Sequence, residues 1–437
     1  MNKESFVIQG QSGVKNLKGS IVINGAKNAA LKAMAASILF SDKVELRNIP
    51  LNADVFTMVE LLKKIGADVE IVKPSSILLN PSTINSTDID LKLASTMRSS
   101  VVLTGPLLSR FGSATFSSPG GCVIGARPID QFIKGYKTMG ATVEENDCIY
   151  RIKSINGIGD SIVDFEKRTV GGTETLMMAA VLGNGKVVLN NCAKEPEIVN
   201  VAEWLNQCGA NIAGVGTDTI TVIGTKGVLL KPTVPYIAIP DRIEAGSYLL
   251  LGALCAERIE IRNCRPDHMI SLIDLLKTSG VPITYDQDSI LIENNTVPNS
   301  DFKTFNIETR EYPGFPTDLQ AQIVVMLTQV TGSGMVVENI FEGRFKYVFD
   351  LLEMGANINI VDPHTISING PAPLQNLPEG KVLNAHDIRA GFAIVMAALV
   401  AKGTFTVNNI QLIDRGYEKL EERLTALGAD IKRVQSR

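Results

Sequence analysis

A short phrase recurs six times along this chain: a charged or amphipathic helix end, a glycine, usually an alanine, then the alternating pattern of a strand. The copies read LLKKIGADVEI, GYKTMGATVEE, WLNQCGANIAG, LLKTSGVPITY, LLEMGANINI and RLTALGADIKR, with glycines at Gly66, Gly140, Gly209, Gly280, Gly355 and Gly428. Spacings of 69 to 75 residues make this a six-fold internal repeat, which shows which positions are equivalent. Glycine there fits a helix C-terminus, where a left-handed residue lets the chain turn into a strand.

A second helix lies upstream in each copy and is apolar nearly all round: AALKAMAASILF (29 to 40), SSVVLTGPLL (99 to 108), ETLMMAAVLG (174 to 183), AGSYLLLGALCA (245 to 256), DLQAQIVVMLTQV (318 to 330) and RAGFAIVMAALVA (389 to 401). Helices without a polar face are buried. Between this helix and the marker glycine sits a strand ending in a short loop, as in KVELRNIP and TFTVNNIQLIDRG. Each copy therefore reads as strand, buried helix, strand, loop, outer amphipathic helix, strand, a βαβ-containing module of about 70 residues. The fold class expected is α/β (α+β), with two similar domains of three modules each, one over about 21–232 and one over about 233–437.

Equivalent positions indicate where chemistry gathers. The N-termini of the buried helices carry Lys27 with Asn28, Arg98, Thr169 to Thr173, Arg242, Asp318 and Arg389. A buried helix exposes only its ends, and its start offers unpaired N–H groups and partial positive charge that favour anions. The loops before the outer helices, also read as exposed, carry Asp54, Cys122 with Arg127, Glu195 and Glu197, Asp267, Arg344, and Asp414 with Arg415. If both domains present that end toward each other, one cleft gathers cations, helix starts and a few carboxylates. Such a cleft suits a substrate bearing phosphate and carboxylate.

Composition removes several function classes. With 45% hydrophobic and 20% charged residues, the 437-residue chain has ample core and no long disordered tract. A net charge of −4 without a basic run argues against nucleic acid as a partner. The start MNKESFVIQGQSG lacks an apolar signal core, and GFAIVMAALVA is too short to span a bilayer, so no membrane insertion is expected. Six scattered cysteines, at 122, 148, 192, 208, 255 and 264, read as free thiols in a reducing cytoplasm. No GxxxxGK[ST] or GxGxxG occurs, and the histidines at 268, 364 and 386 are isolated, so neither a nucleotide cofactor nor a metal is expected.

The richest segment is SPGGCVIGARPID, residues 118 to 130. Two glycines before Cys122 make a turn that can bring the thiol to a ligand, and Arg127 can lower its pKa or bind an anionic group. The alternative is a surface turn with an incidental cysteine, since most lone cysteines are inert and buried.

NGAKNAAL (24 to 31), PGGCVIGARPID (119 to 130), TVGGTET (169 to 175), KEPEIV (194 to 199), DRIEAG (241 to 246), YPGFPTDLQAQ (312 to 322), FEGRF (341 to 345), DIRAG (387 to 391) and DRGYEKLEERL (414 to 424) together resemble the UDP-N-acetylglucosamine 1-carboxyvinyltransferase family of enolpyruvyl transferases. The resemblance spans almost the whole chain in order. It implies two domains of three repeats, an inside-out barrel each, closing on the substrates, with residues 1–20 joining the second domain to 233–437. It also implies transfer of enolpyruvyl from phosphoenolpyruvate to the 3′-hydroxyl of UDP-N-acetylglucosamine, releasing phosphate, the first committed step of peptidoglycan synthesis, with no cofactor. Oligomeric state stays open.

By that resemblance Cys122 is the general acid and can hold phosphoenolpyruvate covalently, and Asp318 handles the proton of the sugar hydroxyl. Lys27, Arg127 and Arg415 are the phosphoenolpyruvate clamp, with Arg98, Arg344 and Arg389 as further cations. Arg127, Pro128, Ile129, Asp130 and Gln131 resemble the uridine-holding segment, and Lys167, Thr169, Val170 and Gly171 the diphosphate loop. Asn28, Asp318 and Ile340 complete the sugar site. The same family is the target of the epoxide phosphonate fosfomycin. Lys32 stands where it often has proline, Phe132 where a histidine often follows, and Thr169 where serine is usual. These departures leave open an enolpyruvyl transferase with another nucleotide or a shikimate-type acceptor, or a non-catalytic UDP-sugar binder. An RNA-end cyclase shares related repeats, but its nucleotide-activating histidine motif is not recognisable here.

Overall fold

A computed structural model describes residues 4–117, 129–294 and 297–435. All six marker glycines adopt left-handed backbone, with φ between +88° and +108°. The residue after each glycine donates its N–H to the carbonyl five positions back: Ala67 to Leu62, Ala141 to Tyr136, Ala210 to Leu205, Val281 to Leu276, Ala356 to Leu351 and Ala429 to Leu424, at 2.9–3.0 Å. Each outer helix thus ends in the same Schellman turn, which satisfies carbonyls that the helix itself leaves over. Those helices are Ala53–Lys64, Asp130–Thr138, Pro196–Gln207, Ile270–Ser279, Val348–Glu353 and Leu420–Ala426.

The apolar helices are the core. They run Lys27–Ala36, Thr104–Phe111, Val170–Ala180, Arg242–Cys255, Gln320–Gln329 and Ile388–Val400, and nearly every residue in them is buried. The second differs from its sequence reading: residues Arg98–Leu103 form a 3-10 helix, and the α-helix begins only at Thr104. Pro106 explains the break, because its ring would collide with the carbonyl four residues back and it has no N–H to continue the ladder.

The chain divides into two compact units, one with residues 25–117 and 129–239, the other with 4–24, 240–294 and 297–435. In the first, the sheet of Lys186–Asn190 shows the common plan. That strand runs parallel to Ser161–Asp164 on one side and antiparallel to Thr219–Ile223 on the other, with Asn211–Ala213 at the far edge. In the second unit, Gly332–Val337 holds the same central place between Ile307–Glu308 and Thr365–Gly370, with Ile358–Asp362 outermost.

Three strands depart from the simple module order. Leu17–Val22 precedes the helix Lys27–Ala36 in sequence but pairs in parallel with Ala256–Arg262, and so belongs to the unit of residues 240–435 and not to that of the helix. Tyr236–Ile237 precedes Arg242–Cys255 but pairs in parallel with Val44–Arg47. Glu4–Gln9 inserts antiparallel between Thr404–Asn408 and Ile431–Gln435, filling the place that a late strand of the module takes elsewhere. The chain accordingly passes between the units at 24–25 and 239–240, after these strands have ended. No helix among the described residues is long and apolar enough to cross a membrane.

Candidate active site

In the unit of residues 240–435, Asp318 lies in the 3-10 turn Thr317–Leu319 that leads into the helix Gln320–Gln329. Arg344 Nη2 donates to Asp318 Oδ1 at 3.1 Å, and Arg389 Nε stands 3.7 Å from the same oxygen. Both arginine side chains are buried, whereas Asp318 is about one-third exposed. Burial works against the Arg344 charge, but Asp318, Asp387 and Glu338 outweigh it and hold the guanidinium above its usual range. Arg389 Nη1 is buried with no hydrogen-bond partner among the described residues, a donor suited to an anionic atom.

Ile340 donates its N–H to Glu338 Oε1 at 2.9 Å and is half-buried. Arg415 is half-buried too, and its neighbour Asp414 is gripped by Arg433 through two bonds of 2.7 and 3.0 Å. That grip fixes the backbone on which Arg415 stands.

In the unit of residues 25–239, Lys27 opens its helix and Nζ donates to Asp54 Oδ2 at 3.0 Å, both side chains buried. Asn28 and Arg98, the latter first in its 3-10 helix, are half-buried. Thr169 caps the helix Val170–Ala180, its hydroxyl accepting from Gly172 N at 3.2 Å, with Val170 and Gly171 in the first turn. Gln131 Oε1 accepts from Lys167 N at 3.4 Å, which joins the start of the helix Asp130–Thr138 to this loop. The two helices sit so close that a Cβ on Gly135 would meet Leu176 Cδ1 at 2.1 Å, and one on Gly171 would meet the Phe132 ring at 3.0 Å. A cavity of about 160 Å³ opens beside Gln131, Phe165 and Glu166. Ile129 is buried and Asp130 exposed, while Cys122, Arg127 and Pro128 lie outside the described residues.

Two expectations need correction. Helix starts and loops were expected to be exposed, yet Lys27, Asp54, Glu195, Glu197, Arg344 and Arg389 are each less than a tenth exposed. Within the fold Asp54 counters Lys27, and Asp318 counters Arg344 and Arg389, so the stems of these three cations pack while their polar ends carry the charge. Nor are the first N–H groups of every buried helix open: Asp241 Oδ1 accepts from Ile243 and Glu244, and Asp387 Oδ1 from Arg389 and Ala390, at 2.7–3.0 Å. An aspartate just ahead of an apolar run is an N-cap signal, and both were legible as such.

Other buried groups have partners that no sequence signal announced. Lys32 and Glu174 form an ion pair of 3.3 Å between two core helices, and burial pushes the Glu174 carboxyl up to about 7 despite the lysine. Tyr417 reaches the core, where its hydroxyl lies 2.8 Å from Ser247 Oγ and its ring 5.2 Å from the Arg389 guanidinium. Both networks join residues far apart in sequence, so nothing local marks them.

Comparison with known proteins bears directly on this arrangement. The profile of the EPSP synthase family, 3-phosphoshikimate 1-carboxyvinyltransferase, matches residues 11–424. A UDP-N-acetylglucosamine 1-carboxyvinyltransferase of Campylobacter hominis is 42% identical over 427 residues, covering 97% of this chain and 98% of its own. One from Koribacter versatilis is 42% identical over 435 residues, covering 99% and 96%. Among solved structures, the enolpyruvyl transferase NikO from Streptomyces tendae superposes over 100% of both chains with a TM-score of 0.88 at 22% identity. EPSP synthase from Acinetobacter baumannii gives 0.73 at 14% identity, covering 99% of this chain and 100% of its own. These two show the fold; the full-length identity shows the closer kinship. The chain belongs to the EPSP synthase family of enolpyruvyl transferases and, within it, to the UDP-N-acetylglucosamine 1-carboxyvinyltransferases.

Proposed function

We propose that the protein transfers the enolpyruvyl group of phosphoenolpyruvate to the 3′-hydroxyl of UDP-N-acetylglucosamine, in the cytoplasm, as a step of peptidoglycan synthesis. The observation that carries the reading is Asp318 held at the mouth of a core helix by Arg344 and Arg389, in a chain 42% identical to enzymes of that name over 97% of its length. A part-exposed carboxylate beside two buried cations supports a role for Asp318 as the acceptor of a hydroxyl proton.

In this reading Cys122 protonates the methylene carbon of phosphoenolpyruvate while Asp318 takes the proton of the sugar hydroxyl, whose oxygen bonds to the adjacent carbon. The resulting tetrahedral ketal loses phosphate together with a proton from the new methyl group, which restores the double bond on the product. Lys27, Arg127 and Arg415 grip the phosphate and carboxylate, and Arg98, Arg344 and Arg389 add positive charge, all of which favour the anionic species along the path. Arg127 to Gln131 hold the uridine, Lys167 with Thr169, Val170 and Gly171 the diphosphate, and Asn28, Asp318 and Ile340 the sugar.

Phosphate release by the purified protein tests it. Release requiring both phosphoenolpyruvate and UDP-N-acetylglucosamine is expected. Release with shikimate 3-phosphate in place of the UDP-sugar, or none with either acceptor, would refute it.

A further inference from the structure

We propose that Glu338 is a positioning residue for the acceptor side of the reaction, one carboxylate that sets Asp318 and the backbone at Ile340 in a common frame. The inference rests on the enolpyruvyl-transfer reading above. Glu338 follows the strand Gly332–Val337 and is fully buried. Its Oε2 accepts from the hydroxyl of Thr317, the residue before Asp318, at 2.8 Å. Its Oε1 accepts from Ile340 N at 2.9 Å, Phe341 N at 3.1 Å and the Thr309 hydroxyl at 2.9 Å. Arg344, three residues beyond Phe341, reaches back to Asp318 Oδ1 at 3.1 Å and closes a ring of contacts.

A buried carboxylate is costly unless its lone pairs are filled, and the stability it brings could be had from apolar packing of similar volume. What packing cannot supply is direction. Four donors converging on two oxygens fix the turn that bears Asp318 relative to the loop that bears Ile340 and Arg344, and turnover is sensitive to misplacement at the ångström scale. Thr309 adds rigidity, since its hydroxyl also accepts from Asn339 N at 2.9 Å.

The test uses the full-length enzyme and steady-state phosphate release with each substrate varied. Thr317→Val, which removes one donor and preserves shape, is expected to lower kcat on the order of tenfold and raise the UDP-sugar KM. The phosphoenolpyruvate KM should stay within about twofold and the melting temperature should hold, with Thr317→Ser restoring activity. Glu338→Gln is expected to show the same split more strongly; should it fail to fold, the Thr317 pair decides. A Thr317→Val enzyme equal to wild type, or one weakened equally toward both substrates with a lower melting temperature, overturns the inference alone. A wild-type protein that releases no phosphate overturns the reading beneath it as well.

Discussion

Replacing Glu174 by glutamine tests whether the core of the 25–239 unit holds a charge that its surroundings resist. Glu174 is fully buried, with Lys32 Nζ at 3.3 Å and the carboxylates of Glu195 and Glu197 adding repulsion. Burial is the largest influence and lifts its pKa from 4.5 to about 7. At about 1.4 kcal/mol for each pH unit between those values, the difference amounts to about 3 kcal/mol. The sign follows from the direction of the change. Below the unfolded value both states are protonated and the contribution is complete; as pH rises through about 7 the folded state must ionise a buried acid and the contribution is lost.

Wild-type stability relative to Glu174→Gln should therefore fall by about 3 kcal/mol between pH 4.5 and 8, read from urea unfolding midpoints across that range. The difference between the two curves matters, because Glu244 in the other unit is also raised by burial and contributes its own slope to both. Lys32→Met, which strips the cation from an ionised neighbour, should cost about 3–5 kcal/mol at pH 8, while the double variant Lys32→Met/Glu174→Leu should be near wild type. Parallel curves for wild type and Glu174→Gln, or a harmless Lys32→Met at pH 8, would show that water or rearrangement relieves the buried charge and would refute the reasoning.

Fosfomycin should modify Cys122 selectively among the six cysteines and faster with UDP-N-acetylglucosamine present, as mapped by peptide mass; labelling spread over several cysteines would remove Cys122 from the proton-donor role. Lys27→Ala, Arg127→Ala and Arg415→Ala should each lower kcat/KM for phosphoenolpyruvate by about 2–4 kcal/mol of transition-state stabilisation. Because Lys27 is paired with Asp54 inside the fold, its variant should also unfold at lower urea, unlike that of the half-buried Arg415. At Gly140, φ is +88° and an added Cβ would meet no atom within 4 Å, so Gly140→Ala isolates the backbone cost of a Schellman turn, about 1 kcal/mol by chemical denaturation, with turnover unchanged.

Much of this protein was legible in its chain. Each marker glycine carries its own instruction, a left-handed turn ending a helix, and the hydrogen bonds of Ala67, Ala141, Ala210, Val281, Ala356 and Ala429 follow from that local geometry. The core helices declare themselves by having no polar face, and nine ordered motifs pointed to the family that full-length identity then established. Local conformation and burial of apolar surface are properties of short stretches, so short stretches encode them.

Tertiary structure alone decided which strand joins which sheet and which charges are buried. Leu17–Val22 stands where the leading strand of the following module would be, and the two-residue strand Tyr236–Ile237 is too short to signal at all. Their partners are set by parallel edges formed elsewhere in the chain. Lys32 and Glu174 are charged residues inside helices whose apolar pattern marks them as buried, and Glu338 stands just past a strand with no motif of its own, so nothing in the sequence names the groups around them. Only when distant segments meet do Thr309, Thr317 and the Ile340 backbone surround Glu338, and Lys32 face Glu174. A buried charge is stabilised by donors and counter-charges converging from several segments, so its environment is a property of the assembled fold and not of any stretch of sequence.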